Sequence, residues 1–290
     1  MLSLFAKFHT PKDVSSYIDN NEKLMYPICD NIVVVLNKCL DPLEDDYVVY
    51  DRNQATVLGI FVKQFRLFQS FVKASKGNDI ADTIIFQRIQ YEAYVKMQYL
   101  IKYGEDAQKE YRLCSYKNRY KLYQNYKAKD NPVARIAIEK FKLDVENEDF
   151  SIDDVADAVE KRKSFGGKNF AQIVEEFGQK EFYVPIYGYL SDSVHSDWGE
   201  SRQLFLQEID ESSFVYYPQK NVPIPVRQLV AQGLIMLESS FVFFDWLESI
   251  GKKHSLVSAM ESILKEHQRV LLLIMENIFE NYKSDKYLYE

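Results

Sequence analysis

Apolar residues recur every three or four positions through most of the chain, with short polar stretches containing Pro, Gly or Asn between the periodic segments. This spacing is typical of amphipathic helices whose apolar faces pack together. It predicts helices at about 11–40, 54–74, 79–103, 105–128, 132–145, 225–250 and 254–283. The predicted fold is therefore an all-α, multi-helix bundle of long antiparallel helices.

Several predicted helix ends carry residues that can satisfy the unpaired backbone groups there. Thr10 and Asp13 have the spacing of a capping box, as do Ser151 and Asp154. The helix at 54–74 is followed by Lys-Gly-Asn, in which Gly and Asn can adopt a left-handed conformation. These signals fix where the predicted helices begin and end.

Two short apolar runs near 204–217, `LFLQEI` and `FVYY`, interrupt the helical pattern and predict a small β-hairpin. The helices predicted at about 130–180 are shorter than the others, so this region is the candidate for a small helical insertion. Without an internal repeat or a low-complexity tract, we expect one helical domain over 1–290.

Composition supports a helical protein with a buried core. Of 290 residues, 47% are hydrophobic, and only 10 are Gly and 8 are Pro. A formal net charge of -7 argues against a protein that coats nucleic acid or an anionic membrane over its whole surface. A local basic face stays open.

Cysteine usage and apolar run lengths indicate a cytoplasmic protein. Cys29, Cys39 and Cys114 form no C-x-x-C pair, which argues against a disulfide framework and a zinc knuckle and fits a reducing compartment. The first residues do not have the pattern of a signal peptide. Uncharged apolar runs such as `VLLLIM` are far shorter than the roughly 20 residues that a membrane helix needs. No membrane association is expected.

The helix `ADTIIFQRIQYEAYVKMQYL` carries two charges where leucine would be ordinary. Arg88 and Glu92 lie one turn apart near the centre of an apolar arc formed by Ile84, Ile85, Ile89, Val95, Tyr99 and Leu100. A buried charge is costly unless it is paired, so the two side chains are expected to engage each other or a third polar group. A structural ion pair that fixes helix register and a functional cation explain them equally well.

The segment `YGYLSDSVHSDWGE`, residues 187–200, predicts a second polar cluster. Ser191 and His195 are four residues apart and lie beside an apolar seam. A neutral imidazole beside a hydroxyl can act as a general base near neutral pH. The alternative is a hydrogen-bonded core histidine.

Neither a metal nor another cofactor is predicted. Asp192 and His195 form one Asp-x-x-His pair, and a carboxylate-bridged metal site requires a second such pair, which the sequence lacks. The loop `SFGGKNF` does not have the glycine and lysine spacing of a phosphate-binding loop.

Basic and aromatic residues alternate in `YRLCSYKNRYKLYQNYKAK`, residues 111–129, which contain no acidic side chain. Such a surface suits a phosphate backbone and unstacked bases, and the candidate RNA contacts are Arg112, Lys117, Arg119 and Lys121. The alternative is packing, because Leu113, Tyr116, Tyr120 and Tyr123 have the 3-4-3 spacing of a core seam.

Two segments together carry a resemblance over about 50–250: `FQRIQYEAYVKMQYL` and, about 100 residues later, `YGYLSDSVHSDW`. The pair resembles a family of uncharacterised bacterial helical proteins in which an Arg-x-x-x-Glu helix precedes a Tyr-x-x-Leu-Ser-x-x-x-His helix. It also looks distantly like the HEPN group (higher eukaryotes and prokaryotes nucleotide-binding). Members of that group are helical bundles and often metal-independent ribonucleases of toxin and phage-defence systems.

The HEPN resemblance implies a set of catalytic roles. Those ribonucleases use Arg-x(4 to 6)-His; His195 matches the histidine, whereas Leu190 stands at the arginine position nearest to it. Arg88 would then supply the cation from another helix, Glu92 would orient Arg88 or His195, and cleavage would leave a cyclic phosphate. The competing hypothesis is a non-catalytic helical module that binds a protein partner or a second copy, with Arg88, Glu92, Ser191 and His195 in a buried polar network.

Overall fold

The computed structural model describes residues 1–18, 21–40, 48–129, 131–160, 167–183, 198, 202, 205–210, 213–216 and 224–284. The all-α prediction and the small hairpin are confirmed. The described elements are α1 (Leu2–Phe5), α2 (Pro11–Ile18), α3 (Asn21–Leu40), α4 (Arg52–Lys76), α5 (Ile80–Ser115), α6 (Lys117–Lys127), α7 (Pro132–Asn147), α8 (Ile152–Glu160), α9 (Phe170–Glu176), α10 (Lys180–Phe182), β1 (Leu206–Asp210), β2 (Ser213–Tyr216), α11 (Val226–Ser249) and α12 (Ser255–Ser284).

The chain forms two compact units. Unit 1 comprises Met1–Val49, Ile60–Tyr94 and Glu181–Glu290, and unit 2 comprises Tyr50–Gly59 and Val95–Lys180. Helices α4 and α5 contribute residues to both units. The region predicted as a helical insertion belongs to unit 2.

Unit 1 is organised around α11 and α12, which pack on each other. Helix α3 packs on both of them, and α1 and α2 pack on α12. Phe61 of α4 stacks on Phe243 of α11, with ring centroids 4.0 Å apart and planes inclined by 8°. Gly233 allows close approach, since a Cβ there would lie 2.9 Å from Leu271 Cδ1 of α12. The core of unit 1 is therefore aromatic and tightly packed.

Helix α11 is, among the described helices, the one long and apolar enough to cross a membrane. Charged residues interrupt its sequence, so it contains no uncharged apolar run of that length. In the fold, 61% of its most apolar window is buried within the protein. Its apolar character is thus accounted for by its place in the core of unit 1.

Unit 2 has its own apolar cluster, built from α6, α7 and α8. Tyr123, Phe141, Val145, Phe150 and Val155 are buried, and Leu113, Tyr116 and Tyr120 pack against them. The predicted packing seam of the basic helix is therefore confirmed. That predicted helix is divided at Tyr116, because α5 ends at Ser115 and α6 begins at Lys117.

Gly104 separates the two helices predicted at 79–103 and 105–128. Its backbone has φ 65° and ψ -148°, a region that only glycine adopts readily. The chain bends there within α5, at the predicted boundary.

Helix capping and the hairpin agree with the predictions. Asp13 accepts the Thr10 backbone N–H at 2.7 Å, and Ser151 and Asp154 form the predicted reciprocal pair. Asn78 has a φ of 54° after α4. Strands β1 and β2 are antiparallel. The first predicted helix is represented by α2 and α3, and residues 19 and 20 between them lie outside the described part of the chain.

Candidate functional site

Arg88 and Glu92 form the predicted pair on α5, in the part of the helix that belongs to unit 1. The Arg88 Nη1 lies 3.7 Å from Glu92 Oε2. The Arg88 side chain is 11% exposed and that of Glu92 is 26% exposed. The predicted engagement of the two charges is confirmed, and the pair lies at the border between core and solvent.

A layer of buried amide and hydroxyl side chains shares unit 1 with this pair. The Gln232 amide of α11 donates a hydrogen bond to the Gln90 side-chain oxygen of α5. Ser239 of α11 donates to the Gln64 side-chain oxygen of α4 at 2.6 Å. Because all four side chains are at most 1% exposed, these bonds replace hydration that folding removes.

This glutamine and serine layer was missed in the sequence. Gln64 lies one turn after the buried Phe61, and Gln90 lies one turn before the buried Tyr94. The available signal is a polar residue at a core position, and an uncharged amide gives a weaker signal than the charges of Arg88 and Glu92 do. The layer fixes the register of α4 and α5 against α11, since a shift would leave buried amides unpaired.

Ser191 and His195 lie outside the described residues, as does Asp192. The described part of the structure places Arg88 and Glu92 together. Their proximity to the Ser191 and His195 pair stays a prediction.

His267 is a further histidine that the sequence did not single out. It is fully buried in α12, its Nδ1 lies 2.7 Å from the Ile263 carbonyl oxygen, and Phe5 meets its ring edge-on at 5.0 Å. Burial lowers the pKa of His267 below its ordinary value of 6.5. It is neutral in the core and packs the start of the chain against α12.

Arg112 is directed into unit 2. Its Nε lies 3.0 Å from Glu148 Oε2, its Nη1 donates to Asn53 Oδ1 at 2.7 Å, and its side chain is 14% exposed. The guanidinium carbon also lies 6.0 Å from the centroid of the Phe150 ring. Arg112 therefore holds α5 to the segment that follows α7.

Arg119 and Lys121 of α6 are exposed, and Lys117 is half-buried. Arg119 Nη1 lies 3.2 Å from Asp144 Oδ2, but 60% of its side chain remains exposed, and its guanidinium carbon is 5.5 Å from the centroid of the Tyr116 ring. Of the four candidate RNA contacts, Arg119 and Lys121 therefore face solvent, whereas Arg112 is directed into unit 2.

A second charged cluster lies in unit 2, where three donors converge on Glu176 of α9. The ammonium groups of Lys102 and Lys168 donate at 2.7 Å to Oε1 and at 2.5 Å to Oε2, and the Tyr103 hydroxyl also donates to Oε1. Lys168 is the lysine of the `SFGGKNF` loop, and in the structure its ammonium group donates a hydrogen bond to Glu176. We call Lys102, Tyr103, Lys168 and Glu176 the Glu176 cluster.

The Glu176 cluster predicts a stability change in acid. The hydrogen bonds from Lys102, Lys168 and Tyr103 lower the pKa of Glu176 from 4.5 to about 2. A lowered pKa means that the carboxylate stabilises the fold fully above pH 4.5, and that this contribution is lost as the pH falls toward 2. The difference in unfolding free energy between wild type and Glu176→Gln should therefore be constant above pH 5 and shrink on acidification, measured by urea denaturation at several pH values.

Glu175→Gln, on the same helix, is the matched control for removing one carboxylate. If the difference in unfolding free energy between wild type and Glu176→Gln stayed unchanged down to pH 2, this result would contradict the hydrogen-bonding pattern of the Glu176 cluster.

Burial affects the thiols of two of the three cysteines. Burial raises the pKa values of Cys29 and Cys39 to about 12, so both are protonated thiols at neutral pH. Within the described ranges, no group of three or more His, Cys, Asp or Glu side chains is arranged to hold a metal ion.

The fold and these residues define an all-α protein with a charged pair on the apolar face of a long helix. Residues 54–212, more than half of the chain, match a family of unknown function (DUF5677), and the chain belongs to that family. The matched region includes Arg88, Glu92 and the 187–200 segment. No curated protein and no solved structure matches the chain.

Proposed function

We propose that this protein is a metal-independent ribonuclease of a toxin or defence type that acts in the cytoplasm. Its site would combine Arg88 and Glu92 of α5 with Ser191 and His195. The observation that carries the proposal is the charged pair at the edge of the core, where a helix would ordinarily place leucine. Placing a guanidinium there is costly, and a function that uses its charge explains why it is present.

Partial burial strengthens the effect of Arg88 on a bound phosphate. Charges interact more strongly where water is excluded, and the Arg88 side chain is 11% exposed. A guanidinium presents a planar set of N–H donors that matches phosphate oxygens. The 3.7 Å distance to Glu92 is longer than the ~2.7–2.9 Å of a charge-assisted hydrogen bond. Glu92 therefore orients the guanidinium electrostatically.

The proposed reaction is an internal transfer at phosphorus. His195 takes the proton of a ribose 2′-hydroxyl, and the 2′-oxygen attacks the adjacent phosphorus. The bond from phosphorus to the 5′-oxygen breaks, and that oxygen receives a proton from the imidazolium. Arg88 stabilises the charge that develops on the phosphorane, and Ser191, four residues before His195 in the sequence, orients the imidazole. The products carry a 2′,3′-cyclic phosphate and a 5′-hydroxyl.

Helix α6 of unit 2 would contact single-stranded RNA through Arg119 and Lys121, with Lys117 contributing from a half-buried position. Residues 111–129 contain no acidic side chain, although the whole chain has a net charge of -7. Phosphates are attracted to such a local positive surface, and the strength of that contact depends on salt. Arg112 would support this surface from within unit 2.

A second candidate function is an interaction module for a protein partner or a second copy. It is favoured by the burial of Arg88, whose side chain is 11% exposed, and by the hydrogen-bonded glutamine and serine layer of the same unit. Satisfied polar groups in a core specify one packing arrangement without any chemistry.

The ribonuclease proposal is tested first in growing cells. Induced expression of the wild-type protein should degrade total RNA and arrest growth, whereas His195→Ala at equal protein level should do neither, because the general base is missing. RNA integrity and growth rate are the measurements. His9→Ala, which removes an exposed histidine, is the matched control and should behave like wild type.

If His195→Ala degrades RNA as the wild type does, the assigned base is wrong. If none of the three proteins affects RNA, and only His195→Ala lowers the melting temperature, the interaction module is the better account.

A further inference from the structure

The Glu176 cluster brings more positive than negative charge to one point. Two ammonium groups and one phenolic hydroxyl donate hydrogen bonds to a single carboxylate. Glu175, the neighbouring carboxylate, pairs with Lys180 at 2.6 Å. The formal charge of the Glu176 cluster is therefore +1, and its lysine side chains are 47% and 41% exposed, against 17% for that of Glu176.

The donors are held by well-defined backbone. Lys102 and Tyr103 directly precede Gly104, whose glycine-specific conformation sets the direction of the chain at that point. Lys168 directly precedes Asn169, which caps α9 in a reciprocal capping box with Gln172. The backbone that carries the three donors is therefore ordered before any ligand arrives, which lowers the entropic cost of binding.

Aromatic rings hold the ammonium groups without neutralising them. Lys102 Nζ lies 5.3 Å from the centroid of the Tyr103 ring and 5.1 Å from that of Phe177. Lys168 Nζ lies 5.6 Å from the centroid of Tyr103, and the Tyr99 and Tyr103 rings are 4.5 Å apart. Cation–π contacts of this kind keep both charges available to an anion.

We propose that Lys102, Tyr103 and Lys168 form a binding site for a phosphate group, and that the Glu176 carboxylate occupies this site in the ligand-free protein. A carboxylate offers two oxygens and one negative charge. A phosphate monoester offers three terminal oxygens and up to two negative charges, which matches three donors and two ammonium groups. An arriving phosphate displaces Glu176 into solvent, so the site has a built-in competitor.

The competitor also sets how selective the site is. A weakly basic or singly charged anion has little net binding free energy here, because it must displace a carboxylate that already accepts three hydrogen bonds. The low pKa of Glu176, about 2, reflects the strength of those bonds. The second negative charge of a dianionic phosphate is attracted to the two ammonium groups as well. The affinity of the site should therefore rise with the charge of the phosphate. This inference does not depend on the ribonuclease proposal.

The test compares phosphate binding by the full chain of wild type, Glu176→Gln and the triple variant Lys102→Met/Lys168→Met/Glu176→Gln. Inorganic phosphate is titrated by isothermal calorimetry at constant ionic strength, with chloride as the reference anion. We expect Glu176→Gln to bind phosphate about 10- to 100-fold more tightly than wild type, because the internal carboxylate no longer competes. The triple variant should lose this binding.

Equal phosphate binding by Glu176→Gln and the triple variant would overturn the proposal and leave the Glu176 cluster a structural ion pair. If Glu176→Gln is unfolded at the assay temperature, Glu176→Asp replaces it, since it keeps the charge and withdraws the carboxylate by one methylene. No effect of Lys168→Met on phosphate binding by Glu176→Asp would likewise overturn the proposal.

The source of the phosphate is identified with two short RNAs that differ only at the 5′ end. Tighter binding of the 5′-phosphorylated RNA by Glu176→Gln, lost in the triple variant, would support the site and assign it to a nucleic-acid terminus. If Glu176→Gln binds inorganic phosphate but binds the two RNAs with equal affinity, the result would support the site and assign it to a small phosphorylated molecule.

Discussion

Replacing Arg88 by alanine is expected to lower the rate of RNA cleavage by about 10²- to 10³-fold, the usual effect of removing one group that stabilises transition-state charge. The proposed reaction places an additional negative charge on the phosphorus oxygens, and the guanidinium is the cation assigned to them. Single-turnover cleavage of a labelled oligonucleotide measures this rate. Because the charge develops in the transition state, the loss should fall on kcat more than on KM.

Two further variants separate catalysis from folding. Arg88→Lys keeps the charge and loses the planar donor set, so it should recover only part of the activity. Arg88→Met/Glu92→Leu removes both partners, which is expected to preserve stability because no buried charge is left alone. This double variant should fold with a melting temperature near that of wild type and still fail to cleave. Cleavage at the wild-type rate by the double variant would show that the pair has no part in the chemistry.

Phe243→Ala is expected to reduce the free energy of unfolding by about 3–5 kcal/mol. The Phe243 side chain is 1% exposed and stacks on Phe61 with centroids 4.0 Å apart, so its removal leaves a cavity between α4 and α11. Urea denaturation followed by circular dichroism measures the change. The loss is large because the surrounding helices cannot close the space completely.

Phe279→Ala on α12 is the matched control, since this phenylalanine is 60% exposed and its removal should change stability by less than about 0.5 kcal/mol. Similar losses for Phe243→Ala and Phe279→Ala would contradict the assignment of the aromatic stack to the core of unit 1.

The sequence predicted the helices well because their signals are local. Apolar periodicity placed α4, α7, α11 and α12 close to their observed bounds, and the seam through Leu113 and Tyr123 packs as expected. The predicted boundary between the helices at 79–103 and 105–128 coincides with the bend at Gly104, whose conformation glycine accepts readily. Each of these features depends on residues within one or two turns of one another.

What escaped prediction depends on contacts between distant parts of the chain. Arg112 was grouped with the exposed basic residues, since nothing in its own helix indicates that Glu148 lies 3.0 Å away. The Glu176 cluster joins Lys102 to a carboxylate 74 residues later in the chain. Periodicity describes the face on which a residue lies, not what packs against that face.

The candidate site was predicted in part for the same reason. Arg88 and Glu92 could be paired from their spacing alone, because residues four apart on a helix are neighbours. The glutamine and serine layer required knowledge of which helices meet, since its hydrogen bonds join α5 and α4 to α11.

The most direct test of ribonuclease activity uses purified protein, a metal chelator and a 5′-labelled RNA oligonucleotide. The account predicts fragments ending in a 2′,3′-cyclic phosphate from the wild-type protein, and none when the RNA is replaced by an all-deoxy strand or the protein by His195→Ala. Intact RNA after incubation with the folded wild-type protein, or equal cleavage by His195→Ala, would contradict it.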